Sequence, residues 1–178
     1  MAYNFGRREL LLSNQTASGS ASIIFTSVIS TEFSVYVLKI RDLVAATNAT
    51  NLLLTLSTDN GSTYLSTNYK YSSLFSDSTA ASGNLFSSDS ATFIEVATTV
   101  SNVSSRGYSA DIMLFDFNSG FTPNIAGFSV LYTSGTRLSH VQFTGCNTGT
   151  TAITAIKLVM SAGNITSGTF RLYGVVET

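Results

Sequence analysis

His140 is the only histidine of the chain and Cys146 the only cysteine. Any nucleophilic or metal chemistry must therefore pass through one imidazole, one thiol, or oxygen side chains gathered from distant positions. A catalytic triad needs a nucleophile, a base and an orienting acid, so a triad here would pair His140 with an unspecified serine and carboxylate. His140 sits in Leu138-Ser139-His140-Val141-Gln142-Phe143, where strand alternation sends Val141 and Phe143 to one face and His140 to the other. This pattern predicts an outward histidine with no chemical role. Cys146 lies in Gly145-Cys146-Asn147-Thr148-Gly149, but no lysine follows at the place a phosphate cradle requires and no helix is expected there. The thiol reads as a small apolar filler, and a single cysteine excludes an intrachain disulfide or a paired-thiol metal cluster.

The carboxylates number ten. Asp59, Asp77, Asp89, Asp111 and Asp116 could offer oxygen ligands to a hard cation, yet no loop spaces its acids as a calcium-binding hand does. Aspartate as a turn former explains them better. No close pair of acids marks a glycosidase, although such pairs usually meet only in space. The residue types together predict a protein that is not an enzyme, with no metal and no cofactor.

The elements that carry these residues are strands. Alternation recurs at Ala21, Ile23 and Phe25, at Val35 and Val37, and at Leu52, Leu54 and Leu56. Further β-rich runs are expected over 64–71, 92–100, 108–115, 128–133, 139–146, 155–160 and 169–176. No stretch sustains apolar residues at three- and four-residue spacing, and dense Ser, Thr and Gly oppose helix. The expected fold is all-β, a jelly-roll-like β-sandwich of about ten short antiparallel strands in one domain spanning 1–178. Asp59-Asn60-Gly61 is read as a hairpin turn between 52–57 and 64–71, and 74–91 and 116–127 as long loops. The second loop holds Phe117, Phe121 and Ile125, which need a local pocket or a partner to bury them.

Hydrophobic residues make up 44% of the chain and charged residues only 11%, with a formal net charge of −1. Without a basic excess there is nothing to release counterions from a nucleic acid, and the apolar run Leu10-Leu11-Leu12 is far too short for a secretion signal or a membrane span. Neither nucleic acid nor membrane is expected as a partner. Few ions and a Ser/Thr-rich surface suit a subunit that packs closely against others. Five Asn-x-Ser/Thr matches occur, close to the ~3–4 that chance gives in so hydroxyl-rich a chain.

Three blocks carry a family likeness: Ser20-Ala21-Ser22-Ile23-Ile24-Phe25-Thr26-Ser27, the turn Ser57-Thr58-Asp59-Asn60-Gly61-Ser62-Thr63-Tyr64, and a C-terminal stretch. The last reads Thr151 to Leu158, then Ser161-Ala162-Gly163-Asn164-Ile165-Thr166-Ser167-Gly168-Thr169-Phe170-Arg171-Leu172-Tyr173-Gly174, and looks like a closing hairpin. Through these blocks the chain resembles the small β-sandwich virion surface proteins of tailed bacteriophages; residues 74–150 match only in texture. The resemblance implies a capsid decoration or cement protein, assembled in the host cytoplasm, whose partners are the major capsid protein and further copies of itself in a homotrimer. A tail fibre or tail-tip module that binds a host-surface saccharide is the alternative. Residues 1–8 are a candidate docking segment, and Tyr3, Phe5, Arg7, Arg8, Phe117 and Phe121 are the candidate partner contacts.

Overall fold

The computed structural model describes residues 8–79, 83–135 and 137–176. These form twelve strands and, among the described residues, no helix. In chain order the strands are β1 (Arg8–Ser20), β2 (Ile23–Thr26), β3 (Val35–Ala45), β4 (Thr50–Ser57), β5 (Tyr69–Asp77) and β6 (Asn84–Ala91). They continue as β7 (Ile94–Val100), β8 (Tyr108–Phe115), β9 (Asn124–Tyr132), β10 (Leu138–Asn147), β11 (Ala155–Met160) and β12 (Ile165–Val176). Every pairing is antiparallel.

Alternation does what period-two sequence demands: Leu52, Leu54 and Leu56 of β4 are fully buried while Asn51, Leu53 and Thr55 are half-buried on the other face. An eight-stranded sheet runs β1-β12-β3-β8-β9-β10-β5-β6 and a four-stranded sheet runs β2-β11-β4-β7. Setting aside the hairpins β5–β6 and β9–β10 leaves β1-β12-β3-β8 facing β2-β11-β4-β7. Numbered one to eight, those strands read 1-8-3-6 and 2-7-4-5, the order of a jelly roll of two Greek keys. The fold is therefore an all-β sandwich of jelly-roll wiring, and the two extra hairpins widen its larger sheet. Its core lies between the sheets, with Tyr36, Tyr69, Tyr108, Phe25 and Phe170 among its largest buried side chains.

Two expected hairpins are corrected. Asn60 and Gly61 do take positive φ, 57° and 86°, but the turn carries the chain from β4 in the small sheet to β5 in the large one, and the two never pair. Likewise β11 and β12 lie in opposite sheets, so Ile156 and Leu158 belong to one wall of the core and Phe170 and Leu172 to the other. The stretch 74–91 is not a loop: β5 runs on to Asp77, and Asn84–Ala91 forms β6. A strand at a sheet edge has little to bury and can be built largely from serine, which hides its alternation. The long β1 was not among the expected runs because a bulge at Leu12 breaks its register.

Candidate binding surface

The groups with chemical potential stay apart. On the outer face of β10, His140 stacks on Phe128 with ring centroids 5.9 Å apart, and Val141 and Phe143 point into the core. Among the described residues no three His, Cys, Asp or Glu side chains gather as metal ligands would. Cys146 is a half-buried free thiol with Asn124 and Lys70 as cross-strand neighbours.

Asp59 is structural. It accepts hydrogen bonds from the Thr63 hydroxyl (2.6 Å), the Thr63 amide (2.9 Å) and the Ser57 hydroxyl (2.7 Å). These donors stabilise the carboxylate and hold its pKa at about 2, below the ordinary 3.8. Burial raises the Glu95 carboxyl, an effect that the hydrogen bond from the Asn51 amide partly offsets. Asp77 is lowered by hydrogen bonds from Thr79 and by Arg137.

Tyr3, Phe5 and Arg7 lie outside the described residues. Arg8 opens β1, exposed, opposite Val176. Phe117 is corrected as a contact: it is 1% exposed and fills the core, and its carbonyl accepts from the Ile153 amide at 2.8 Å. Phe121, in the same loop, is 70% exposed. The register brings the remaining candidates to one end of the large sheet, because Val35, where β3 begins, faces Phe115, where β8 ends. At that end β12 also finishes and β1 starts, so Arg8, Leu10, Leu11, Val176 and Phe121 lie along a single rim. All four of its apolar members are exposed.

The outer face of β8, β9, β10, β5 and β6 holds a second feature, built entirely by register. Ala126, Thr144, Ser72 and Ser87 stand side by side on successive strands. These small side chains make a floor that runs across the strands. On one side rises a bulky row of Phe128, Gln142, Leu74 and Leu85; on the other stand Asn124, Cys146 and Lys70. Two open cavities of about 790 and 560 Å³ lie along this trough and share Ser72, Ala126 and Thr144. At ~4.8 Å per strand, four strands give a floor ~14 Å long, and walls four residues apart along a strand stand ~13 Å apart.

Charge along this part of the face is balanced. Lys70 has no hydrogen-bond or ion-pair partner among the described residues, and Asp89 lines the same cavity. Asp111 lines the second cavity and is paired with Arg41 at 2.6 Å, and beyond the trough Lys39 pairs with Glu9 at 2.5 Å. Nothing in the sequence announces the trough. Each strand contributes only one small residue between larger ones, and pairing partners far apart in the chain align them.

No family model matches the chain, and neither curated proteins nor solved structures provide a match.

Proposed function

We propose that this chain is a structural protein of the tailed-bacteriophage virion, a capsid decoration or cement protein that binds the major capsid protein and associates with itself. The observation that carries the reading is the rim of exposed Leu10, Leu11, Phe121 and Val176 at one end of the large sheet. Apolar side chains left outward together at one end of the large sheet suit a partner surface that covers them. A contact of about 1,600 Å² is specific and stable, and repetition over a shell adds effective concentration to each weak contact. Jelly-roll wiring supports the reading because the same architecture recurs in capsid domains.

Particles lacking the protein should form capsids that release their genome at a lower temperature than complete ones. Added wild-type protein should restore the loss, and a Leu11→Asp, Phe121→Asp variant should not. Unchanged heat stability together with lost adsorption to host cells would reject cementing. It would favour the second reading, a tail fibre or tail-tip module, for which the trough is the supporting observation.

A further inference from the structure

We infer that the trough across the outer face of β9, β10, β5 and β6 is a binding site for a short, linear, uncharged glycan. The inference stands on this face alone and holds whether the chain sits on a capsid or on a tail.

The chemistry of the lining selects the ligand. The floor offers the hydroxyls of Thr144, Ser72 and Ser87, none of which has a hydrogen-bond partner among the described residues. Each hydroxyl both donates and accepts, as sugar hydroxyls do. One wall is apolar except for Gln142 between Phe128 and Leu74, and its Leu74, Leu85 and Phe128 are exposed. His140 covers the face of the Phe128 ring on the side away from the floor, so the free face is the one toward the trough. The opposite wall carries the Asn124 amide and Lys70, with Asp89 nearby.

A ligand that fills this space needs one apolar side and one rim of mixed donors and acceptors. A pyranose has both: a C–H face that packs on an aromatic or aliphatic wall, and hydroxyls around its edge. Lys70 and Asp89 on one cavity, and Asp111 with its Arg41 partner on the other, leave no surplus sign for a charged ligand.

Direction excludes the main competitor. An extended peptide is recognised by adding to a sheet edge through its main chain, but this trough runs across the strands, and along its floor the amides and carbonyls of β9, β10 and β5 are already spent on neighbouring strands, leaving an open edge only at β6. Hydrogen bonds to a ligand must come from side chains. The length of the floor, ~14 Å, calls for an oligosaccharide more than a single sugar.

The full chain, labelled with nitrogen-15, is titrated with maltotriose, cellotriose, mannotriose and N-acetylchitotriose up to several times ~1 mM, a dissociation constant typical of weak binding, with an uncharged hexapeptide in parallel. At least one trisaccharide should shift the amides of Ser72, Ser87, Ala126 and Thr144 saturably, and the peptide should not. Ala126→Phe fills the floor from an outward strand position and should abolish binding. Ser72→Ala with Thr144→Val removes the two hydroxyls with little change of shape and should weaken it tenfold or more, each with an unchanged circular dichroism spectrum. Saturable shifts confined to other regions, no saturable shift with any trisaccharide, or peptide binding at the trough would each overturn the inference. None of these results depends on where the chain sits in a particle, so failure here leaves the cementing experiment independent.

Discussion

Phe117 and Phe121 occupy one loop four residues apart, and their fates differ completely. Phe117 is buried beneath the loop, Phe121 is turned to solvent, and the local sequence offered no means of telling them apart. Phe117→Ala should cost about 3–5 kcal/mol, the usual loss for emptying a buried aromatic site, as measured by urea unfolding. Phe121→Ala should stay within about 0.5 kcal/mol, and equal losses at the two positions would show that both are packed. Asp59 gives the second test. Its carboxyl is depressed to about 2 by Thr63 and Ser57, so its contribution to stability is fully present above the ordinary carboxylate pKa and is lost as pH falls toward 2. The carboxyl-carbon resonance of Asp59 should titrate near pH 2, and Asp59→Asn should remove part of the acid sensitivity between about pH 4 and 2. A midpoint near 3.8 would mean that the turn's hydrogen bonds are absent in solution. The turn chemistry of Asp59-Asn60-Gly61 was legible because such residues advertise positive φ locally. The donors Ser57 and Thr63 were visible beside it, but no rule of spacing tied them to the carboxylate.

Strands announce a face, and they do not announce a neighbour. For β8 and β11 the expected bounds coincide with the structure, because Tyr108, Ala110, Ile112 and Leu114, or Ile156, Leu158 and Met160, all face the core. Their partners were beyond reach, since pairing here joins distant segments: β12 lies between β1 and β3, and β5 lies beside β10. This is why two turns with good hairpin chemistry join opposite sheets instead of paired strands, and why the trough, made of one residue from each of several strands, is not legible in the sequence. β6 marks the limit of periodicity. Among the described residues only β5 pairs with it, and its residues are mostly exposed, with Leu85 at 75%. Hydrogen exchange should find its amides among the fastest of the strand amides, and those of β3, β8 and β12 near the global limit, since protection follows buried contacts and flanking strands. Equal protection of β6 and β8 in dilute protein would imply that something covers β6.

At the scale of the whole molecule, scarcity of charge would govern how copies meet one another and a capsid in the proposed assembly. Nine basic and ten acidic residues serve the entire chain, and the ion pairs Lys39–Glu9, Arg41–Asp111 and Arg137–Asp77 already neutralise part of them within one copy. Contacts between copies must then come mainly from apolar and hydrogen-bonding groups such as those of the rim. Attraction between exposed charges fades over a Debye length that shrinks from ~10 Å at 0.1 M salt to ~3 Å at 1 M, whereas apolar burial does not weaken in the same way. Self-association as a closed homotrimer should thus survive a rise from about 0.1 to 1 M sodium chloride. Light scattering should report a mass near three times the 18.9 kDa of one chain at both salt concentrations. The Leu11→Asp, Phe121→Asp variant tests whether the rim also joins copies: if it stays trimeric while failing to restore heat-stable particles, the rim serves the capsid and another surface holds the trimer. A strict monomer at ~100 μM would remove the homotrimer, since subunits held at so weak an affinity contribute little through their own association. A trimer that falls apart at 1 M salt would place charge pairs at its centre, against the sparse and internally paired charges of this chain.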